Sequence, residues 1–122
     1  MRAWILASVT VAAAACHPDP PPPAAPRPPS ACARASDRMV QTMLEHLSSR
    51  DAKAADAPPT EAADAMRNLI RERCERDAWA PDAVQCLIAM KSQDDANACA
   101  QRMTEDQQAA LVRDEQAQFG GK

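Results

Sequence analysis

The chain reads as an all-α protein, a small disulfide-stapled bundle of about five short helices that follows an apolar leader and a proline-rich tether. Three observations predict it. Glycine occurs only at 120 and 121, so the stretch from 30 to 119 lacks the residue that tight strand-connecting turns favour. Tyr is absent, Phe occurs once, and β-branched residues never run together there, which removes the usual strand formers. Apolar residues instead recur three and four positions apart, between Pro, Ser and Thr residues placed where helices begin.

Residues 1–15 carry the parts of a cleavable export signal. Arg2 is the basic start, 4–15 is an apolar stretch, and alanines stand just before Cys16. Twelve helical residues rise about 18 Å against a hydrocarbon core of ~30 Å, so the stretch is too short for a permanent anchor. From 18 to 29, eight of twelve residues are proline. Such a segment cannot join a helix or a sheet ladder and extends as polyproline II, reaching up to about 37 Å at ~3.1 Å per residue. Residues 16–29 therefore read as a tether, and their PxxP spacing leaves open a use as a ligand for a proline-binding domain.

The helical domain spans 30–119, with 120–122 as a C-terminal tail. Ser30 caps a first helix running to about 49, with Met39, Val40, Met43, Leu44 and Leu47 at helical spacing. A loop over 51–59 ends in Pro58-Pro59. Thr60 caps a second helix, from 61 to about 78, whose Ala62, Met66, Leu69, Ile70 and Cys74 lie toward one side. Pro81 suits the first turn of a third, where a missing N–H does no harm, and Val84, Cys86, Leu87, Ile88 and Met90 follow it. Ser92-x-x-Asp95 starts a short fourth helix containing Ala96, Cys99 and Met103. Thr104-x-x-Gln107 is a capping box that starts a fifth, with Leu111 and Val112 apolar, and Gly120-Gly121 ends it.

A domain of this size with one Phe and one Trp buries limited apolar area, so covalent closure is expected to stabilise it. Five cysteines would leave one unpaired in an oxidising compartment; with Cys16 committed elsewhere, Cys32, Cys74, Cys86 and Cys99 form an even set. In an antiparallel pair the start of the first helix lies beside the end of the second, which places Cys32 near Cys74. Across the turn near Ser92 the same geometry sets Cys86 opposite Cys99. The expected bridges are Cys32–Cys74 and Cys86–Cys99, and the main rival joins Cys74 to Cys86 across the turn at Trp79 and Pro81. Trp79 itself reads as a packing anchor.

The residues Ala13, Ala14, Ala15 and Cys16 resemble the processing site of bacterial lipoprotein precursors, where an aliphatic residue and two small residues precede an acylated cysteine. The resemblance implies a diacylglyceryl thioether on Cys16, palmitate-type acyl chains, and a lipid-anchored place on the periplasmic or surface side of the cell envelope. His17 is not the aspartate that serves as the usual inner-membrane retention cue in enterobacteria, so the outer membrane is the expected site. Each buried CH₂ adds about 0.8 kcal/mol, and several chains together would anchor the protein durably. Ala13 stands where the family more often has leucine, and Ala13-x-Ala15 also suits the ordinary signal peptidase, which would leave a secreted helical protein without lipid. The remainder resembles small cysteine-stapled helical lipoproteins of deltaproteobacteria, a likeness that implies no mechanism.

Little in the sequence points to catalysis. The formal net charge is −3, and one unit more acidic once Arg2 leaves with the leader, so no nucleic-acid partner is expected. Arg67, Arg71, Arg73 and Arg76 alternate with Glu72, Glu75 and Asp77 and read as mixed-charge solvated surface. There is no C-x2-C pair for zinc or thioredoxin-like redox work. His46 has no obvious nucleophile and orienting acid, and Asp94, Asp95 and their neighbours read as caps and solvated faces rather than a glycosidase pair.

No enzyme activity and no cofactor are therefore expected. One constellation has chemical meaning. Met39, Met43 and His46 share a helix face, and thioether with imidazole suits Cu(I); the competing reading packs both methionines in the core beside Leu47, with His46 at the edge. Accessible side chains would favour a site and buried ones packing. The leading expectation is a non-enzymatic, membrane-tethered envelope lipoprotein presenting a helical module to an envelope protein. The alternative is a small-ligand or Cu(I)-binding lipoprotein.

Overall fold

The computed structural model describes residues 21–50 and 59–121. The export signal, Cys16, His17, the first prolines and residues 51–58 of the expected loop lie outside the described residues. Residues 21–30 are exposed and carry no regular secondary structure. Five helices follow: α1 (Ala31–Arg50), α2 (Thr60–Arg76), α3 (Pro81–Ala89), α4 (Gln93–Ala100) and α5 (Glu105–Phe119). No strand occurs among the described residues.

Local chemistry explains where each helix starts. The Ser30 hydroxyl accepts the Ala33 N–H at 3.1 Å, capping α1. Thr60 is not the cap of α2. Pro59, at φ −51° and ψ 143°, already has the extended geometry of a cap, and its carbonyl accepts from the Ala62 and Ala63 N–H groups at 2.9 and 3.2 Å. Thr60 is thereby drawn inside the helix and makes no capping bond. Pro81 opens α3, as its missing N–H allows.

Ser92 and Asp95 form a reciprocal box at α4, with Asp95 N–H donating to the Ser92 hydroxyl at 3.2 Å and Ser92 N–H to the Asp95 carboxylate at 3.1 Å. The Lys91 N–H also donates to that carboxylate, at 2.8 Å, and is the main reason Asp95 titrates below the usual carboxylate range. Thr104 and Gln107 repeat the box at α5, at 3.2 and 3.1 Å.

The helix ends depart further from expectation. α2 stops at Arg76 because Ala78 adopts φ 47°, and the Trp79 N–H reaches back to the Cys74 carbonyl at 3.2 Å. This is a Schellman-type closure with alanine in the left-handed position that glycine normally fills. Ala78→Gly is expected to raise the unfolding free energy by about 0.5 kcal/mol, and Ala78→Val to lower it, because a branched side chain is strained at positive φ. Chemical denaturation of the two variants side by side checks the sign. Met90 caps α3 from outside the helix, and its carbonyl accepts the Arg38 Nε–H of α1 at 2.6 Å. Met103 lies in the turn after α4 rather than within it. Arg102 and Met103 N–H groups bond to Cys99 and Ala100 carbonyls three residues back, which tightens the turn and folds Met103 inward.

α1 is the hub, packing on α2, α3 and α4, while α3 meets α4 and α5 lies along α2. Ala35, Ala63 and Ala83 are buried, and such small side chains let the helices approach closely. The space between is filled by Val40, Leu69, Ile70, Trp79, Val84 and Leu87, with Met90 and Met103. Leu47, expected on the apolar side, is 44% exposed. With Cys32 bonded to Cys74, the antiparallel register brings Thr60 level with His46, so Leu47 lies past the start of its partner helix.

The arginine face of α2 is also not uniformly solvated. The Arg73 side chain is 15% exposed, donates from Nε to Asp114 of α5 at 2.6 Å, and pairs with Asp77 at 3.5 Å. The bond that Arg73 donates to Asp114 is the main cause that raises the Arg73 pKa above its ordinary value. Gln107 adds a bond to the Asp77 carbonyl at 3.0 Å, and α5 has a single fully buried residue, Ala110.

Candidate functional site

The two disulfides join Cys32 to Cys74 and Cys86 to Cys99, with Cα separations of 5.6 and 5.5 Å. These are the pairs the antiparallel arrangement predicts, and the Cys74–Cys86 rival does not form. Each bridge ties consecutive helices, the first across 42 residues and the second across 13. The first also sets helix register. Eight residues on from Cys32 is Val40, and eight back from Cys74 is Met66, so Met66 comes level with the gap between Met39 and Met43.

That alignment builds a mainly apolar cleft of about 110 Å³. Met39, Val40 and Met43 of α1 form one wall, and Met66 and Ile70 of α2 the second. Leu111 and Glu115 of α5 and Gln93 of α4 complete it. Met39, Met43 and Met66 are each half-buried, in contact with the core yet open to the cleft. His46 is exposed and does not line it. The expected Met39/Met43/His46 set is therefore split: the structure keeps the two methionines together, brings Met66 to them, and leaves His46 exposed near the end of α1.

A second cleft, of about 320 Å³, runs between α2 and α5 and is lined by Asn68, Glu72, Arg73, Arg76, Asp114 and Gln118. Its best-placed charges, Arg73 and Asp114, satisfy each other. No group of three His, Cys, Asp or Glu side chains is arranged to hold a metal ion among the described residues. No described helix is long and apolar enough to cross a membrane.

The sequence places Met66 and Leu111 on apolar helix faces and points to no role for Glu115 or Gln93. For Met66 the signal was present, in the register that a Cys32–Cys74 bridge imposes. For the others it was not, because nothing local to α4 or α5 says which helix they meet. No family model, curated protein or solved structure matches this chain.

Proposed function

We propose that the chain is an exported, lipid-tethered envelope module, anchored through Cys16, that presents a non-enzymatic helical bundle to a protein partner. The observation that carries docking is the size and lining of the methionine cleft. At about 110 Å³ it falls well below the ~300–1,000 Å³ of metabolite pockets but accommodates one apolar side chain. Insertion of a single buried anchor is how protein interfaces concentrate their binding energy. Methionine adapts its shape to such anchors, and Glu115 and Gln93 offer polar groups to the segment beside it.

Two further observations support the setting. Paired, largely buried cysteines suit an oxidising compartment. The exposed residues 21–30 suit a spacer between an anchor and the bundle. The test is a photo-crosslinking residue in place of Met43, in a lipoprotein-processing host whose envelope carries the chain. A discrete adduct at Met43, absent when the probe replaces exposed Arg102, is expected. Identical adducts at both positions, or none at Met43, would overturn docking through the cleft. A mature mass that does not begin at acylated Cys16 would overturn the anchor.

A further inference from the structure

We infer that Met39, Met43 and Met66 form a thioether site for a soft monovalent cation, Cu(I) or its analogue Ag(I). The placement of the methionines carries this. Of the five described, Met90 and Met103 are 3% and 7% exposed and fill the core, whereas the three partly buried ones, which pack at its edge, all line one cleft. Met39 and Met43 stand one turn apart on α1, Met66 reaches the same level from α2, and the Cys32–Cys74 bond fixes the register that aligns them.

The donor chemistry favours a soft ion. Thioethers select Cu(I) over harder divalent cations, and a single carboxylate, Glu115, stands at the cleft to offset one positive charge. All four cysteines of the bundle are held in disulfides, so methionine supplies the soft donors that remain. A thioether also needs no deprotonation, so occupancy persists in mild acid, where an imidazole ligand would be protonated and lost. The cation site does not rest on the docking reading, and an ion and an anchor side chain would exclude each other from the cleft.

The test uses the chain as isolated from membranes in detergent, both disulfides formed, titrated anaerobically with Cu(I) against a chromophoric competitor. One equivalent is expected to bind in the micromolar range or tighter, with Zn(II) failing to displace it. Met66→Leu and Met43→Leu conserve volume and are each expected to weaken binding about tenfold or more, a loss of ~1.4 kcal/mol or more per thioether. His46→Asn should leave it unchanged, and affinity should hold from about pH 7 to pH 5. No saturable binding, affinity indifferent to Met66→Leu, or affinity lost with His46→Asn would overturn the site. Helical circular dichroism of each leucine variant confirms that the fold is retained. Crosslinking from Met43 is read separately, so a failure of docking is not mistaken for a failure of the metal site.

Discussion

Replacing Cys32 and Cys74 together with alanine is expected to lower the unfolding free energy by about 4 kcal/mol, and the Cys86/Cys99 pair by about 3 kcal/mol. The difference follows from loop length, since the first bridge closes a separation of 42 residues and the second one of 13, and longer closures restrict the unfolded chain more. Against a total of roughly 5–15 kcal/mol for an ordinary domain, and less for one with so thin a core, the first loss leaves a largely unfolded chain at about 37 °C. Alanine is the informative replacement. Cys74 is 1% exposed, and a serine hydroxyl there would add an unpaired buried polar group to the effect being measured. Urea unfolding of both double variants should give midpoints in that order, and equal midpoints would show that strain or residual structure, rather than loop length, sets the contribution. The Cys32/Cys74 variant should also lose the alignment of Met66 with Met39 and Met43.

Trp79→Ala is expected to cost about 3–5 kcal/mol, the largest effect expected of a single replacement that leaves both disulfides intact. Trp79 is buried at the end of α2, where the chain turns into α3, and is the one large aromatic in the core. Trp79→Phe should cost about 1 kcal/mol or less, because the indole Nε1 is buried without a protein hydrogen-bond partner and leaves together with the lost volume. Thermal unfolding of the two variants in parallel decides it. A phenylalanine variant as unstable as the alanine one would mean that the indole N–H contributes a bond of its own.

The starts of helices were legible because they are written in a few adjacent residues: Ser30, Pro81, Ser92 with Asp95, and Thr104 with Gln107. The start of α2 lies one residue earlier than the sequence suggests, because Pro59 already holds the extended geometry of a cap and Thr60 falls inside the helix. Periodicity gave the face of α1 but not the extent of its partner, which is why Leu47 lies past the start of α2 and His46 is exposed at its level. Charge alternation along α2 likewise could not show that Arg73 meets Asp114, 41 residues away on another helix. The candidate site divides in the same manner. Met39 and Met43 come from one helix pattern, Met66 from the register of a disulfide, and Leu111 and Glu115 from tertiary packing alone.

α5 begins beyond Cys99, so neither covalent loop encloses it. What holds it is the Arg73–Asp114 pair, the Gln107 bond to Asp77, and a short apolar side built on Ala110, Leu111 and Phe119. With α1 bonded to α2 and α3 bonded to α4, the final helix is the one whose detachment is expected to cost less than global unfolding. Leu111 and Glu115 sit on that helix, so the aperture of the cleft is itself a free-energy variable. Whatever fills the cleft is linked to the closure of α5. Occupancy is expected to shift the equilibrium toward the docked α5, and a change that undocks the helix is expected to weaken occupancy by the same coupling free energy.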